Sequence, residues 1–74
     1  MIDIPALKKS LKDSIYSTKD ETHLTFVGRA QNAYLKTILK GIKELEKEDI
    51  SKVNELIESC YEILKFFEVK IEEK

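Results

Sequence analysis

Residues 49–74, DISKVNELIESCYEILKFFEVKIEEK, contain the clearest structural pattern of the chain. Their apolar side chains recur at alternating spacings of three and four residues, which is the heptad pattern of an amphipathic helix. The members of this seam are Ile50, Val53, Ile57, Cys60, Leu64, Phe67 and Ile71. Leu56 and Ile63 widen the apolar side. The segment therefore predicts a helix over residues 49–74 whose broad apolar side must be covered by protein.

The segment from near Asp20 to the charged run at 46–49 predicts a second long helix, since its apolar residues also recur every three or four positions. They are Val27, Ala30, Tyr34, Ile38, Gly41, Ile42 and Leu45, with Leu35 and Leu39 at the margins. Within residues 23–28, β-branched and aromatic residues alternate with polar ones, which is also typical of a short strand or a break. We favour a continuous helix, because one strand would have no pairing partner in this chain.

The connection between the two long helices is short. Asp49 or Ser51 can cap the later helix, and only the charged run 46–49 separates the two periodic segments. We therefore expect an antiparallel helical hairpin. Gly41 lies inside the earlier helix, where we interpret it, together with Ala30 and Ala33, as allowing another helix to approach closely. A hinge at Gly41 is the alternative.

Residues 1–17 predict an arm that leads into a short N-terminal helix. Asp3 suits the N-cap, and Pro5 suits the first turn, where its missing N–H leaves no hydrogen bond unmade. Apolar residues then follow at a helical spacing, at Ile4, Leu7, Leu11 and Ile15. Because this stripe is narrow, we expect the short helix to lie on the outside of the two longer ones.

The size of the chain favours self-association. Its 74 residues form one helical domain, residues 1–74, and a chain of this length buries only about 60% of the surface that its unfolded form exposes. Cys60 is the single cysteine, so no intrachain disulfide can add stability. Two hairpins packed face to face would bury both stripes in a dimeric four-helix bundle, with the N-terminal helices outside. A closed three-helix monomer is the alternative.

Two groups of apolar residues are candidates for interfaces. The expected self-association seam consists of Tyr34, Ile38, Ile57, Cys60, Leu64, Phe67 and Ile71. Tyr61, Phe66 and Val69 lie beside or off this seam. Either the N-terminal helix covers them as part of a broad core, or they form a patch for a protein partner, because contiguous apolar surface on a protein marks an interface.

No arrangement of residues predicts catalysis, a cofactor or a metal ion. His23 lies beside Asp20 and Glu21, but a metal site needs more ligands than one helical turn supplies, and we interpret His23 as solvated. Cys60 occupies a seam position and is interpreted as a core residue. The two glycines, Gly28 and Gly41, are too far apart to form a phosphate-binding loop.

A basic stripe follows the outer side of the predicted second helix. Its members are Arg29, Lys36, Lys40, Lys43 and Lys47. Such a line of cations could follow a nucleic-acid backbone. Acidic residues interrupt it, however, the sequence pI is near 5.8, and no aromatic residue lies between the lysines to stack on bases. A solvated outer face is the favoured interpretation.

The longest apolar run is four residues, even when a threonine is admitted, against the roughly 20 that a membrane span requires. No signal-peptide pattern is present, and the sequence favours the cytoplasm. We therefore expect an all-α protein without enzymatic activity that acts as a homo-oligomeric protein interaction module, such as an adaptor, regulator or inhibitor. The alternatives are a nucleic-acid-associated regulator and, least favoured, an enzyme or metal protein.

Overall fold

The computed structural model describes residues 1–74 and contains four helices. They are α1 (Ile4–Ser14), α2 (Thr18–Glu21), α3 (Phe26–Glu48) and α4 (Ile50–Phe66). The only β pairing is a single antiparallel bridge between Ile2 and Glu73. The all-α class predicted from the heptad spacing is confirmed.

Helix α3 is central, and both α1 and α4 pack against it. On one side, the Lys8 ammonium lies 2.7 Å from a Glu46 carboxylate oxygen, and the backbone N–H of Tyr16 donates to the Asn32 side chain at 2.7 Å. The beginning of α1 therefore lies near the end of α3, and the two helices run antiparallel. On the other side, Leu56 of α4 approaches Gly41, which is close to the connection between α3 and α4.

Two stripes of α3 face these two neighbours. Asn32, Leu39 and Glu46 are spaced by seven residues and lie on the α1 side, whereas Val27, Tyr34 and Gly41 have the same spacing and lie on the α4 side. The buried apolar residues of α3 lie between the two stripes and are Leu35, Ile38 and Ile42. Because two neighbours cover α3, its apolar surface must be broad. This explains why Leu35 and Leu39 widen the predicted apolar stripe.

Side-chain caps define the helix starts. The Asp3 carboxylate accepts from the N–H of Ala6 at 3.2 Å, and Pro5 lies in the first turn of α1, as predicted. Asp49 alone separates α3 from α4 and accepts from the N–H of Ser51 at 3.0 Å. Bonds from Ser51 hold the pKa of Asp49 below its usual range. The short connection and its cap therefore agree with the sequence.

The predicted start of the second long helix near Asp20 is wrong. Ser17 caps the one-turn helix α2, a turn follows, and α3 begins only after Thr25, whose hydroxyl accepts from the N–H of Gly28 at 3.1 Å. The Arg29 guanidinium donates to the carbonyls of Glu21 and Thr22, which end α2. These polar contacts satisfy backbone groups that a continuous helix would have paired internally.

The predicted end of the last helix is also wrong. Helix α4 ends at Phe66, because the N–H of Val69 donates to the carbonyl of Leu64 and that of Glu68 to the carbonyl of Lys65, both at 2.9 Å. This is the Schellman pattern, and Glu68 has the left-handed φ of 62° that the pattern requires. Residues 68–74 then leave the helix through this turn and contain no further helix, and we call them the C-terminal strap.

The strap runs back along the molecule to the N-terminus. The N–H of Asp3 donates to the carbonyl of Glu72 at 2.9 Å, and the N–H of Lys74 donates to the carbonyl of Met1 at 2.8 Å. Apolar and charged residues alternate from Phe67 to Glu72, which is typical of an extended strand with one buried side. Because Phe67 and Ile71 are four residues apart, they also fitted the helical spacing, and this explains the error.

The core contains eleven buried apolar residues contributed by α1, α3, α4 and the strap. They are Ile4, Leu7, Leu11, Leu35, Ile38, Ile42, Val53, Ile57, Cys60, Leu64 and Val69. The side chains of Leu7 and Leu11 have no exposed surface. Helix α1 therefore lies along α3 on the outside of the long hairpin, as expected, and its buried stripe closes the core within a single chain.

Gly41 provides a first test of this packing. A Cβ at Gly41 would lie 3.4 Å from Cδ2 of Leu56, which is an ordinary van der Waals distance. Alanine therefore fits at this position, although Gly41 does face the neighbouring helix. Ala30 and Ala33, expected to share this role, are exposed.

We expect Gly41→Ala to raise the free energy of unfolding by about 0.5–1 kcal/mol, because glycine inside a helix costs conformational entropy. Urea unfolding followed by circular dichroism measures the change. Ala33→Gly, at an exposed position of the same helix, is the matched control and should lower stability by a similar amount. A destabilised Gly41→Ala variant would mean that α3 and α4 need the closer approach that only glycine allows.

Candidate interaction surface

Large apolar side chains are exposed along the open side of the α3–α4 hairpin. Val27 is 73% exposed, Phe66 is 81% exposed and Ile63 is 45% exposed. Behind them, the rings of Tyr34 and Phe67 meet edge to face with centroids 5.8 Å apart, and the Phe66 ring lies 5.8 Å from that of Phe67. We call these five residues the aromatic face.

The aromatic face exists because α3 is longer than α4. Val27 lies on the same stripe as Tyr34 and Gly41, which face α4. Helix α4 ends at Phe66 and the chain turns away at Glu68, so no helical turn lies opposite Val27. Ile63 lies one turn before Phe67 on α4 and seven residues after Leu56. Its side chain therefore borders the same groove between the two helices.

The predicted partner patch is divided in the structure. Phe66 belongs to the aromatic face, and Tyr61 is 37% exposed on another side of α4, with the Lys65 ammonium 5.4 Å from its ring centre. Val69 is only 4% exposed. The assignment of Val69 to the partner patch is corrected, because the chain turns at Glu68 and directs Val69 into the core.

Most of the predicted self-association seam is covered within one chain. Ile38, Ile57, Cys60 and Leu64 belong to the core. Tyr34, Phe67 and Ile71 are partly buried at its edge. The seam was correct as the apolar side of the helix, but α1, α3 and the strap cover its central residues. Self-association remains a prediction, and it must use the residues that stay exposed.

A polar cluster that the sequence did not reveal fastens α2 to α3. Asn32 is buried, and its side chain exchanges two hydrogen bonds with the backbone of Tyr16. The Asn32 amide also donates to Glu21 at 2.6 Å, and the Lys36 ammonium approaches the same oxygen at 3.0 Å. Asn32 continues the heptad spacing of Leu35, Leu39 and Ile42, which is the signal that could have identified it as buried.

This cluster also changes the basic stripe. Lys36 pairs with Glu21, and the Arg29 guanidinium bonds to backbone carbonyls. Lys40, Lys43 and Lys47 are exposed. Two of the five predicted nucleic-acid contacts therefore already have partners within the chain. Nucleic-acid binding by this stripe stays the alternative to a solvated outer face.

His23 and Cys60 lie where a structural interpretation expects them. His23 is exposed in the turn between α2 and α3. Cys60 is buried, and its thiol donates to the carbonyl of Leu56 at 3.2 Å. Burial raises the pKa of the Cys60 thiol and that of the neighbouring Tyr34 hydroxyl, so both groups stay protonated at neutral pH. No three His, Cys, Asp or Glu side chains are grouped to hold a metal ion.

The largest cleft lies between the paired chain ends and α4. Its volume is about 590 Å³, and it is lined by Met1, Ile2, Asn54, Glu58, Tyr61, Glu62 and Glu73. Three of these residues are glutamates, and none is a lysine or arginine. A second, smaller cleft of about 250 Å³ lies beside α2 and is lined by Thr18, Glu21, Thr22 and Arg29.

Comparisons with protein-family models, with curated proteins and with solved structures find no match to this chain. None of its helices combines the length and the apolar character that crossing a bilayer requires. The surfaces described above are therefore interpreted from their own geometry.

We expect Asn32→Ala to lower the free energy of unfolding by about 2–3 kcal/mol, because it leaves the backbone N–H and carbonyl of Tyr16 without partners in a partly buried place. Thermal or urea unfolding measures this loss. Gln31→Ala, at the neighbouring position, is the matched control and should change stability little. Equal effects of the two substitutions would contradict the proposed role of Asn32.

Glu21 should make stability depend on pH. Hydrogen bonds from Asn32 and Lys36 hold the pKa of Glu21 below its ordinary value of 4.5. The carboxylate therefore stabilises the fold above pH 4.5, and this contribution disappears as the pH falls through the lowered pKa. The stability difference between the wild type and Glu21→Gln should shrink below that pH.

Urea unfolding at neutral and acidic pH measures this difference. Glu44→Gln removes an exposed carboxylate of α3 that has no partner within the chain, and it should produce no comparable change. A pH-independent difference between wild type and Glu21→Gln would contradict the assignment.

Proposed function

We propose that this chain is a non-catalytic helical interaction module that acts as a homodimer through its aromatic face. The observation that carries this proposal is the exposure of Val27, Ile63 and Phe66 beside the edge-to-face rings of Tyr34 and Phe67. Exposed apolar residues are common singly, but a contiguous group of them is typical of a protein interface.

The surface area supports a second copy as the occupant of this face. The chain exposes 5308 Å², whereas a folded monomer of 8.6 kDa is expected to expose about 4,700 Å². The difference of roughly 600 Å² approaches the ~800 Å² that each partner contributes to a standard interface. Packing against another copy would remove most of this excess.

The position of α1 is compatible with such a dimer. Helix α1 packs along the Asn32–Glu46 side of α3, whereas the aromatic face lies on the α4 side. Two chains joined through their aromatic faces would bring four long helices together and leave both α1 helices outside. The proposed dimer thus keeps the architecture of a four-helix core, while its contacts differ from the predicted seam.

Burial of apolar area would drive the association. Each large apolar side chain that becomes buried contributes about 1.5–3 kcal/mol. In a symmetric dimer, each residue of the aromatic face is buried in both chains, so each one contributes twice to the free energy of association. In this form the chain acts as an adaptor or regulator that presents two copies of its outer surface to a protein partner.

Sedimentation equilibrium, from low micromolar to millimolar concentration, tests the proposal. We expect a concentration-dependent shift from 8.6 kDa towards twice that mass. Ile63→Ser and Phe66→Ser should each weaken the dimer by at least about tenfold, because each removes two buried anchors. Ile50→Ser is the matched control, because Ile50 lies on the same helix and is similarly exposed, at 49% against 45% for Ile63.

A wild-type chain that remains at 8.6 kDa throughout this range would overturn the dimer. Equal weakening by Ile50→Ser and Ile63→Ser would show that association occurs but does not use the aromatic face. A heteromeric partner on this face would appear as a monomeric wild type that binds the partner in an Ile63-dependent manner.

A further inference from the structure

The C-terminal strap is attached to the rest of the molecule by few interactions. Among its side chains only Val69 is fully buried, and Ile71 is partly buried against the core. Four backbone hydrogen bonds join the strap to the rest of the chain, two at its start, with Leu64 and Lys65, and two at its far end, with Met1 and Asp3. No ion pair connects it to the helices, since Lys70 pairs with Glu72 inside the strap.

The turn that begins the strap has an unfavourable backbone conformation. Glu68 has a φ of 62°, the left-handed region that glycine adopts readily and other residues adopt at a cost. Most Schellman turns therefore have glycine at this position. Opening the strap would relieve this cost, so Glu68 is suited to act as the pivot.

The far end of the strap also stands apart from α4. The cleft of about 590 Å³ separates Glu73 and Met1 from Asn54 and Glu58. Glu58 and Glu62 on α4 share this cleft with Glu73, and no lysine or arginine side chain lines it. No ion pair holds the strap end against α4 across this cleft.

Beneath the strap lies apolar surface. Val69 belongs to the same buried cluster as Leu7 of α1 and Leu64 of α4. Removal of the strap would expose a groove whose occupant is extended and places apolar residues at every second position, as Val69 and Ile71 do. The structure thus shows the kind of ligand that this groove accepts.

From these observations we propose that the strap opens as a unit about Glu68, and that the vacated groove binds an extended peptide with alternating apolar and charged residues. The strap is then an internal competitor that occupies the groove until such a segment of a partner replaces it. This proposal is independent of the proposed dimer, because no residue of the strap belongs to the aromatic face.

Hydrogen exchange of the wild-type chain tests the opening. The amides of Asp3, Val69 and Lys74 are all hydrogen-bonded at the ends of the strap. We expect them to exchange together and at least tenfold faster than the amides of Leu35, Ile38 and Ile42 in the middle of α3. Equal protection of the two groups would overturn the proposal, because the strap would then open only with global unfolding.

Two substitutions at the exposed Glu68 test the pivot in opposite directions. Glu68→Gly removes the backbone cost and should increase protection of the strap amides about fivefold. Glu68→Pro cannot adopt a positive φ and should release the strap, although it substitutes no residue of the core. If Glu68→Gly protects all amides equally, the strap is not a separate unit and the proposal fails.

A fluorescent peptide with the sequence of residues 68–74 then tests the groove. It should bind Glu68→Pro at least tenfold more tightly than the wild type, and Glu68→Gly most weakly. The same peptide with aspartate in place of its Val69 and Ile71 equivalents should not bind. Absence of saturable binding to folded Glu68→Pro would overturn the groove. If Glu68→Pro does not fold, the wild-type chain replaces it in this experiment. The groove is then overturned if the wild type binds the original peptide no more tightly than it binds the aspartate peptide.

Discussion

The difference in length between α3 and α4 determines which surfaces the molecule leaves open. Helix α3 has 23 residues and α4 has 17, and only Asp49 separates the end of α3 from the start of α4. The first turns of α3 therefore extend past the end of their neighbour. Val27 lies on the stripe that faces α4, but no residue of α4 lies opposite it and its side chain is exposed. The aromatic face is thus a direct result of where the left-handed turn at Glu68 ends α4.

The residues that follow the end of α4 help to close the core. After the turn, the chain returns as a strap that buries Val69 and reaches the N-terminus. Together with α1, it covers the side of α4 that the sequence assigned to a second copy. A small domain that uses a short helix and one extended segment in this way can complete its core alone, at the cost of a loosely attached last segment.

The sequence predicted much of this structure, and its error at the C-terminus has a physical reason. Caps at Asp3 and Asp49 were recognisable because short polar side chains before an apolar repeat have few other roles. The error at the C-terminus arose because Phe67 and Ile71 fit both a period of two and a period of 3.6. A helix continued to Ile71 would also have covered Val27, which the actual end of α4 leaves exposed. Contacts between segments, and not local spacing, decide such cases.

Asn32 shows a different limit of local patterns. Its heptad position marks it as buried, but no pattern reveals that its partners are the backbone of Tyr16 and the side chain of Glu21. Those partners depend on how the chain turns between α1 and α3. Polar clusters of this kind join segments that are distant in sequence, and they become visible only when the fold is known.

The bridge between Ile2 and Glu73 brings residues 1 and 74 within one hydrogen bond of each other, at 2.8 Å. Any polypeptide joined before the first residue and after the last would therefore leave from the same edge. Such a unit can be inserted into a surface loop of a host protein without stretching that loop, or its ends can be linked and new ones opened elsewhere. The meeting of the two ends thus makes this fold a natural module for insertion and circular permutation.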